Sequence, residues 1–412
     1  MIRPLVLLLL LFPAVLRGEL LVERVTTVVP FPRGLEMVDG SLYVLARGRV
    51  RGAGGVTAEV EDRAGTLFRV DPGVAEPFGP GEAGEAVRTN GELFAPPSAP
   101  PFKLWNRASD PPESDRLTDR PYCTLRYHAP THSFYICGFS GVDLRRTPEY
   151  PVAFSKNLTD AILRFDLRTQ RWYEVERHDI RAGGTYPHHD PRTSDPPHGW
   201  LNGPDNVLPV ANSLYAVAKD NSVLVRYDLS RLVEDPEAGA PGGEIVLGSD
   251  VYVEKSGTES FHGHSALAHR DGWLYVGTRT SSVIYRFRVD GEGRPVEPLA
   301  VQVVARFDPY DPVKKRSADI TDMGFDDDGF LYVVSAKPSR VYRFLPDPAN
   351  VFDARGEGEQ PWADLATATN NPAMKSENVL WHDGWLYVTS GDGYGYQAGA
   401  DGTVYRVRRT NQ

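Results

Sequence analysis

From His264 to Asp290 (HSALAHRDGWLYVGTRTSSVIYRFRVD) apolar runs are interrupted by Asp271-Gly272 and then by a short polar loop. An Asp-Gly pair between alternating runs is a strong hairpin signal, so the stretch predicts consecutive antiparallel strands and not a helix. Its last run, an Arg flanked by apolar or aromatic residues, recurs around Arg69, Arg164, Arg226, Arg286, Arg343 and Arg406. From Arg164 onward the copies sit about sixty residues apart, a spacing expected of propeller blades with loop insertions. The pair that opens the middle run recurs as well: Leu42-Tyr43, Leu214-Tyr215, Leu274-Tyr275, Leu331-Tyr332 and Leu386-Tyr387, with Phe134-Tyr135 in the remaining unit. Six such units predict an all-β fold: a six-bladed β-propeller of four-stranded antiparallel blades.

Blade one is expected over roughly 34–80, followed by a Pro/Gly-rich surface insertion at 81–118 that lacks the Tyr-Arg run of a further blade. Blades two to six then cover about 119–182, 204–252, 262–308, 318–367 and 376–410. The last blade runs out of chain after its third strand, whereas Leu20–Val29 forms a strand with no blade of its own. The N-terminal strand is therefore expected to close the ring and cover an exposed edge.

If the strands of a blade are called A to D, A–B turns lie on one face of the ring, and B–C and D–A loops on the other. The A–B turns are short (Asp39-Gly40, Asp271-Gly272, Asp383-Gly384), so the long irregular loops gather on the opposite face, where function concentrates. Strand A opens there, next to the axis, with Asp205-Asn206, His264-Ser265, Thr321-Asp322 and Glu377-Asn378. Any one of these could merely cap a strand start. Repeated in four blades, they point to an axial divalent cation, calcium first, which takes six to eight oxygen donors.

The run Asn378-Val379-Leu380-Trp381-His382-Asp383-Gly384-Trp385-Leu386-Tyr387-Val388, its counterpart Asp205-Asn206-Val207 and the six-blade count resemble the calcium-dependent six-bladed propellers. That group includes the gluconolactonase/senescence-marker-protein family, the paraoxonase-like lactonases and the NHL-repeat proteins. The resemblance covers residues 19–412 as repeat architecture, through motifs of low specificity. It implies an axial divalent cation held by Asp205 or Asn206, Asp322, and Glu377 or Asn378. The chain departs from the pattern at blade one, where Glu36 lies inside its strand, and at blade four, which offers His264.

Strand B ends on the same face with Arg47, Lys219, Arg279 and Lys337, which either attract an anionic ligand or pair with inner-strand carboxylates. Five of the ten histidines fall in two neighbouring loops: His188, His189 and His198, then His262 and His264. Imidazoles there suit transition-metal ligation or a general base, with His264 and His198 the candidates, or are simply solvated. Trp200 suits stacking on a sugar ring. The strand-C arginines read as structural, their stems covering apolar surface.

Composition adds an address. Met1-Ile2-Arg3 and the apolar run after it, too short for a spanning helix, predict a signal peptide over residues 1–18 and a secreted or periplasmic protein without stable membrane insertion after cleavage. In that compartment Cys123 and Cys137, on neighbouring strands, are expected to form a disulfide, two buried thiols being the alternative. Asn157-Leu158-Thr159 is a glycosylation sequon. A net charge of −10 argues against nucleic acid as a partner and leaves a small molecule or glycan, anionic if the cationic ring is free. Three functions remain: a metal-dependent lactonase- or esterase-like hydrolase of a sugar-derived or lactone substrate; a non-catalytic glycan- or protein-binding propeller with a structural cation; and a His-ligated transition-metal lyase or oxidoreductase.

Overall fold

A computed structural model describes residues 18–29, 32–46, 66–79, 81–95, 117–144, 154–179, 203–219, 221–239, 241–253, 256–309, 318–336, 338–356, 358–372, 374–390 and 403–410. For strand residues 117–123, 139–144, 154–160 and 177–179 it describes the backbone course alone. These residues form the expected six-bladed propeller, with blades over 32–95, 117–179, 204–247, 264–306, 320–364 and 376–409. Leu20–Thr26 pairs antiparallel with Thr403–Arg409 and supplies the outer strand of blade six, so the first and last strands close the ring. Arg406 fastens that seam through Glu23, at 2.6 Å.

The recurring Leu-Tyr pair has a simple cause. Successive strand residues point to opposite faces, and a blade presents one face to each neighbour. In every blade the first member packs against the preceding blade and the Tyr against the following one. Leu274, for example, joins Tyr215 of blade three, while Tyr275 joins Leu331 of blade five. Phe134 and Tyr135 do the same in blade two. The repeat is thus the signature of the interfaces between blades, and the core is a closed series of them.

The strand-C arginines sit in these outer layers, as expected. Arg226 reaches Glu244 at 2.6 Å, Arg343 reaches Asp326 at 3.2 Å, and Arg286 lies over the Trp273 ring, 4.1 Å from its centre. The tight A–B turns have the left-handed backbone that Asp-Gly permits: Asp39 and Gly40 have φ of 49° and 75°, and Asp271 and Gly272 have 51° and 72°. One boundary differs from expectation. The segment read as a surface insertion contributes Glu92–Ala95 as the fourth strand of blade one, paired with Leu67–Val70. Its alternation is too short to announce a strand. The expected disulfide is not seen among the described residues: Cys137 is buried opposite Thr124, and the Cys123 side chain lies outside them.

Blades one and two approach closely at Gly34, where an added Cβ would meet the Leu125 backbone nitrogen at 2.5 Å. Backbone cannot yield as a side-chain tip does. Gly34→Ala should therefore cost about 1–3 kcal/mol, read as a lower denaturation midpoint with an unchanged slope in urea titration.

Candidate functional site at the propeller axis

The inner strands are Pro32–Val38, Leu117–His128, Pro204–Val210, His264–Arg270, Ile320–Phe325 and Ser376–His382. All six slip in their pairing with strand B, Leu117–His128 between Arg120 and Thr124 and the other five near the start. In those five the slip falls between Pro32 and Gly34, Pro204 and Asn206, His264 and Ala266, Ile320 and Asp322, and Ser376 and Val379. Such a bulge re-aims side chains and lets two consecutive residues serve one side of the strand. For this reason Asp205 and Asn206 both join the axial cluster, as do Glu377 and Asn378, where strict alternation would allow one of each pair.

The cluster has two layers. In the outer one Arg33 lies between blades six and three, 3.0 Å from Glu377 Oε1 and 3.8 Å from Asp205 Oδ1. Arg279 approaches Asp205 Oδ2 at 3.4 Å and holds Asp319 through a short contact. Asp319, Arg279, Asp205, Arg33 and Glu377 thus form a chain of alternating charge across five blades. In the inner layer Asp322 Oδ1 accepts from Arg126 at 2.7 Å and from Asn206 Nδ2 at 2.8 Å. Its Oδ2 accepts from Asn378 Nδ2 and the Val379 amide, both at 3.1 Å. Short hydroxyl side chains tie the strand openings together: Thr124 to the Asp205 carbonyl, Ser265 to that of Ile320, and Thr321 to that of Ser376.

Apart from Arg279, whose side chain is 20 % exposed, the cluster is buried. Asp322 and Asn206 are 0 % exposed, Asn378 1 % and Glu377 3 %. Among these groups Asn206 Oδ1, Asn378 Oδ1 and Glu377 Oε2 have no hydrogen-bond partner. Burial works against the charge of Arg126, but Asp322 and Glu36 outweigh it and raise its pKa. Arg279 is raised likewise, with Asp319 and Asp205 outweighing burial. Glu36, half-buried on the inner strand of blade one, accepts from the Tyr127 and Met37 amides, and desolvation raises its pKa against the pull of Arg126.

The structure therefore gathers Asp205, Asn206, Asp322, Glu377 and Asn378, but not in the arrangement the sequence suggests. Asp205, Asp322 and Glu377 are each held by an arginine instead of standing free around one ion. Among the described residues no group of three or more His, Cys, Asp and Glu forms a metal centre. Arg279 is taken up by carboxylates, and Lys219 is half-buried at the end of its strand. His264 opens strand A but turns into blade four, where its Nε2 meets the Tyr285 hydroxyl at 3.1 Å and its ring stands edge-on to Tyr285. At 0 % exposure it touches no solvent. His198, Trp200, Arg47 and Lys337 lie outside the described residues. Sequence reasoning missed Arg33, Arg126 and Asp319. A signal existed for the first: Pro32 and Pro204 open their strands alike, which puts Arg33 in register with Asp205.

No family model and no curated protein matches the chain. Among solved structures it is similar to virginiamycin B lyase from Staphylococcus aureus, with 10 % identity and a TM-score of 0.43 over 95 % of this chain and 100 % of that one. A protein of unknown function from Bacteroides thetaiotaomicron matches with 8 % identity and a TM-score of 0.41 over 95 % and 76 %. A protein provisionally assigned as a gluconolactonase matches with 12 % identity and a TM-score of 0.37 over 97 % and 94 %.

Burial lowers the His264 pKa from 6.5 to about 4. The unfolded chain thus takes up this proton first, so the stability it contributes is complete above pH 6.5 and drains away as pH falls toward 4. The loss is on the order of 3 kcal/mol. His128 and His269 are lowered too, and Glu36, raised, works in the opposite sense. The difference between the wild type and His264→Gln isolates the one group: denaturation at pH 7, 5.5 and 4 should show a shallower decline for the variant.

Proposed function

We propose that the protein is an exported, divalent-cation-dependent hydrolase of lactone or ester type, acting on a sugar-derived substrate at the loop-rich end of the axis. One observation carries the reading. Three buried side-chain oxygens of blades three and six, Asn206 Oδ1, Asn378 Oδ1 and Glu377 Oε2, are left without a hydrogen-bond partner. Each unsatisfied buried acceptor costs about 1–3 kcal/mol, and a hard cation relieves such a cost. Two amide carbonyls and one carboxylate oxygen suit calcium better than a thiophilic or imidazole-seeking metal. When bound, the cation would supply Lewis-acid polarisation of the substrate carbonyl.

The chain's own groups take the remaining roles. Arg33 and Arg279 hold the outer carboxylates in place and limit the negative charge that the ion meets. Because His264 is buried and neutral, proton transfer falls to His198 in the D–A loop. Trp200 would stack on the sugar ring, with Arg47, Lys219 and Lys337 attracting an anionic substituent. The signal peptide over 1–18 would deliver the protein to a secreted or periplasmic location. A second reading, a glycan- or protein-binding propeller with a structural cation, draws support from the burial of every axial donor. The histidine-ligated lyase or oxidoreductase has no such observation behind it.

Elemental analysis of the purified protein should find about one calcium per chain, and chelation should lower the melting temperature and abolish hydrolysis of a lactone panel. Asn378→Ala is expected to weaken metal retention and hydrolysis together. Stoichiometric calcium with no turnover of any lactone or ester would leave the binding propeller standing; stoichiometric zinc, manganese or copper would favour the third class.

A further inference from the structure

Asp322 was the obvious ligand for an axial cation, but its bonding argues for a different part. An ionised carboxylate offers about four lone-pair sites. Asp322 fills them with four donors: the Arg126 guanidinium, the Asn206 and Asn378 side-chain amides, and the Val379 backbone amide. The two asparagines come from blades three and six, and both turn their NH2 ends toward this carboxylate. A carboxylate accepts only, so it decides which end of each amide faces it. The opposite ends, Asn206 Oδ1 and Asn378 Oδ1, are the oxygens left buried and unpartnered. Arg126, donating to Oδ1 at 2.7 Å, holds the Asp322 carboxylate in place.

We propose that Asp322 is the positioning carboxylate of the axial site, orienting the carbonyl oxygens of Asn206 and Asn378 toward a hard divalent cation without binding it. The inference rests on the cation-dependent reading above and assigns the protein donors: two neutral amide oxygens and Glu377 Oε2. Only one of these carries charge. The site would therefore select by oxygen number and geometry more than by charge, and would leave coordination positions for water or substrate. Asp322 and Arg126 form the layer behind the ligands, where substitutions typically cost 10–100-fold in metal affinity without removing the metal.

The test uses the full mature chain, with calcium titration by calorimetry and terbium as a luminescent probe whose lifetimes in H2O and D2O count the waters on the ion. Asp322→Ala, too short to reach an ion, should bind calcium about 10–100-fold more weakly, with stoichiometry and water count unchanged. Asn378→Ala and Glu377→Ala should each raise the water count or abolish binding. Because Asp322→Ala strands a buried guanidinium, R126M/D322A removes both charges together and gives a second variant with the same expectation. A bound terbium that gains water in the Asp322 variants makes Asp322 a ligand and overturns the proposal alone. A wild-type chain that binds neither calcium nor terbium overturns the cation reading as well.

Discussion

Bringing five carboxylates, four of them buried, to one axis is the constraint around which this ring is built. Asp205, Asp319, Asp322, Glu377 and Glu36 face the axis or its margin, against the three guanidinium groups of Arg33, Arg126 and Arg279. Ionised groups leave water at a cost of several kcal/mol each, recovered only when partners and geometry are good. The network meets that condition by crossing blade boundaries: every strong pair in it joins different blades. The apolar interfaces hold each blade to its neighbours, whereas Arg33–Glu377 and Arg126–Asp322 tie blades through the centre. Closing the ring and neutralising the axis are therefore coupled.

The fold was legible because its repeat reports a physical alternation. Leu and Tyr of strand B serve opposite neighbours in every blade, so the same two residues are demanded six times. The orphan N-terminal strand and the blade short of one strand could be matched for the same reason, since an edge must be covered. The fourth strand of blade one was not legible. Glu92–Ala95 has too few residues to alternate, and the Pro-rich sequence after it dominates the local composition.

The axial cluster was legible in part of its membership, its strand-opening acids and amides, and illegible in its wiring. Asp205-Asn206 and Glu377-Asn378 could be singled out as polar openings of strands that should be apolar. Period-two reasoning then forces a choice within each pair, and the bulge removes that choice. A bulge leaves no mark in one sequence, because it depends on how strand A pairs with strand B. The arginines were hidden for another reason. Arg126 stands in a register position occupied by Leu208 and Leu380 in other blades, so nothing in the repeat marks it as axial. His264 failed in the opposite sense. It occupies the register position of Pro32, Pro204, Ile320 and Ser376, whose side chains are buried, and a histidine there serves the blade interior whatever its chemistry.

Pairing the carboxylates with arginines changes what an axial ion would encounter. A ring of bare acids would hold a divalent cation tightly and sluggishly, with little coordination left for anything else. Here the arginines consume most of the negative charge, and the atoms that remain unpartnered are mainly neutral amide oxygens. Such donors favour a cation that keeps open positions and exchanges its other ligands readily, which a carbonyl substrate would need. The same economy explains why asparagine and not aspartate stands at positions 206 and 378. An amide can give its NH2 to Asp322 and still present an oxygen, whereas a second carboxylate beside Asp322 would repel it.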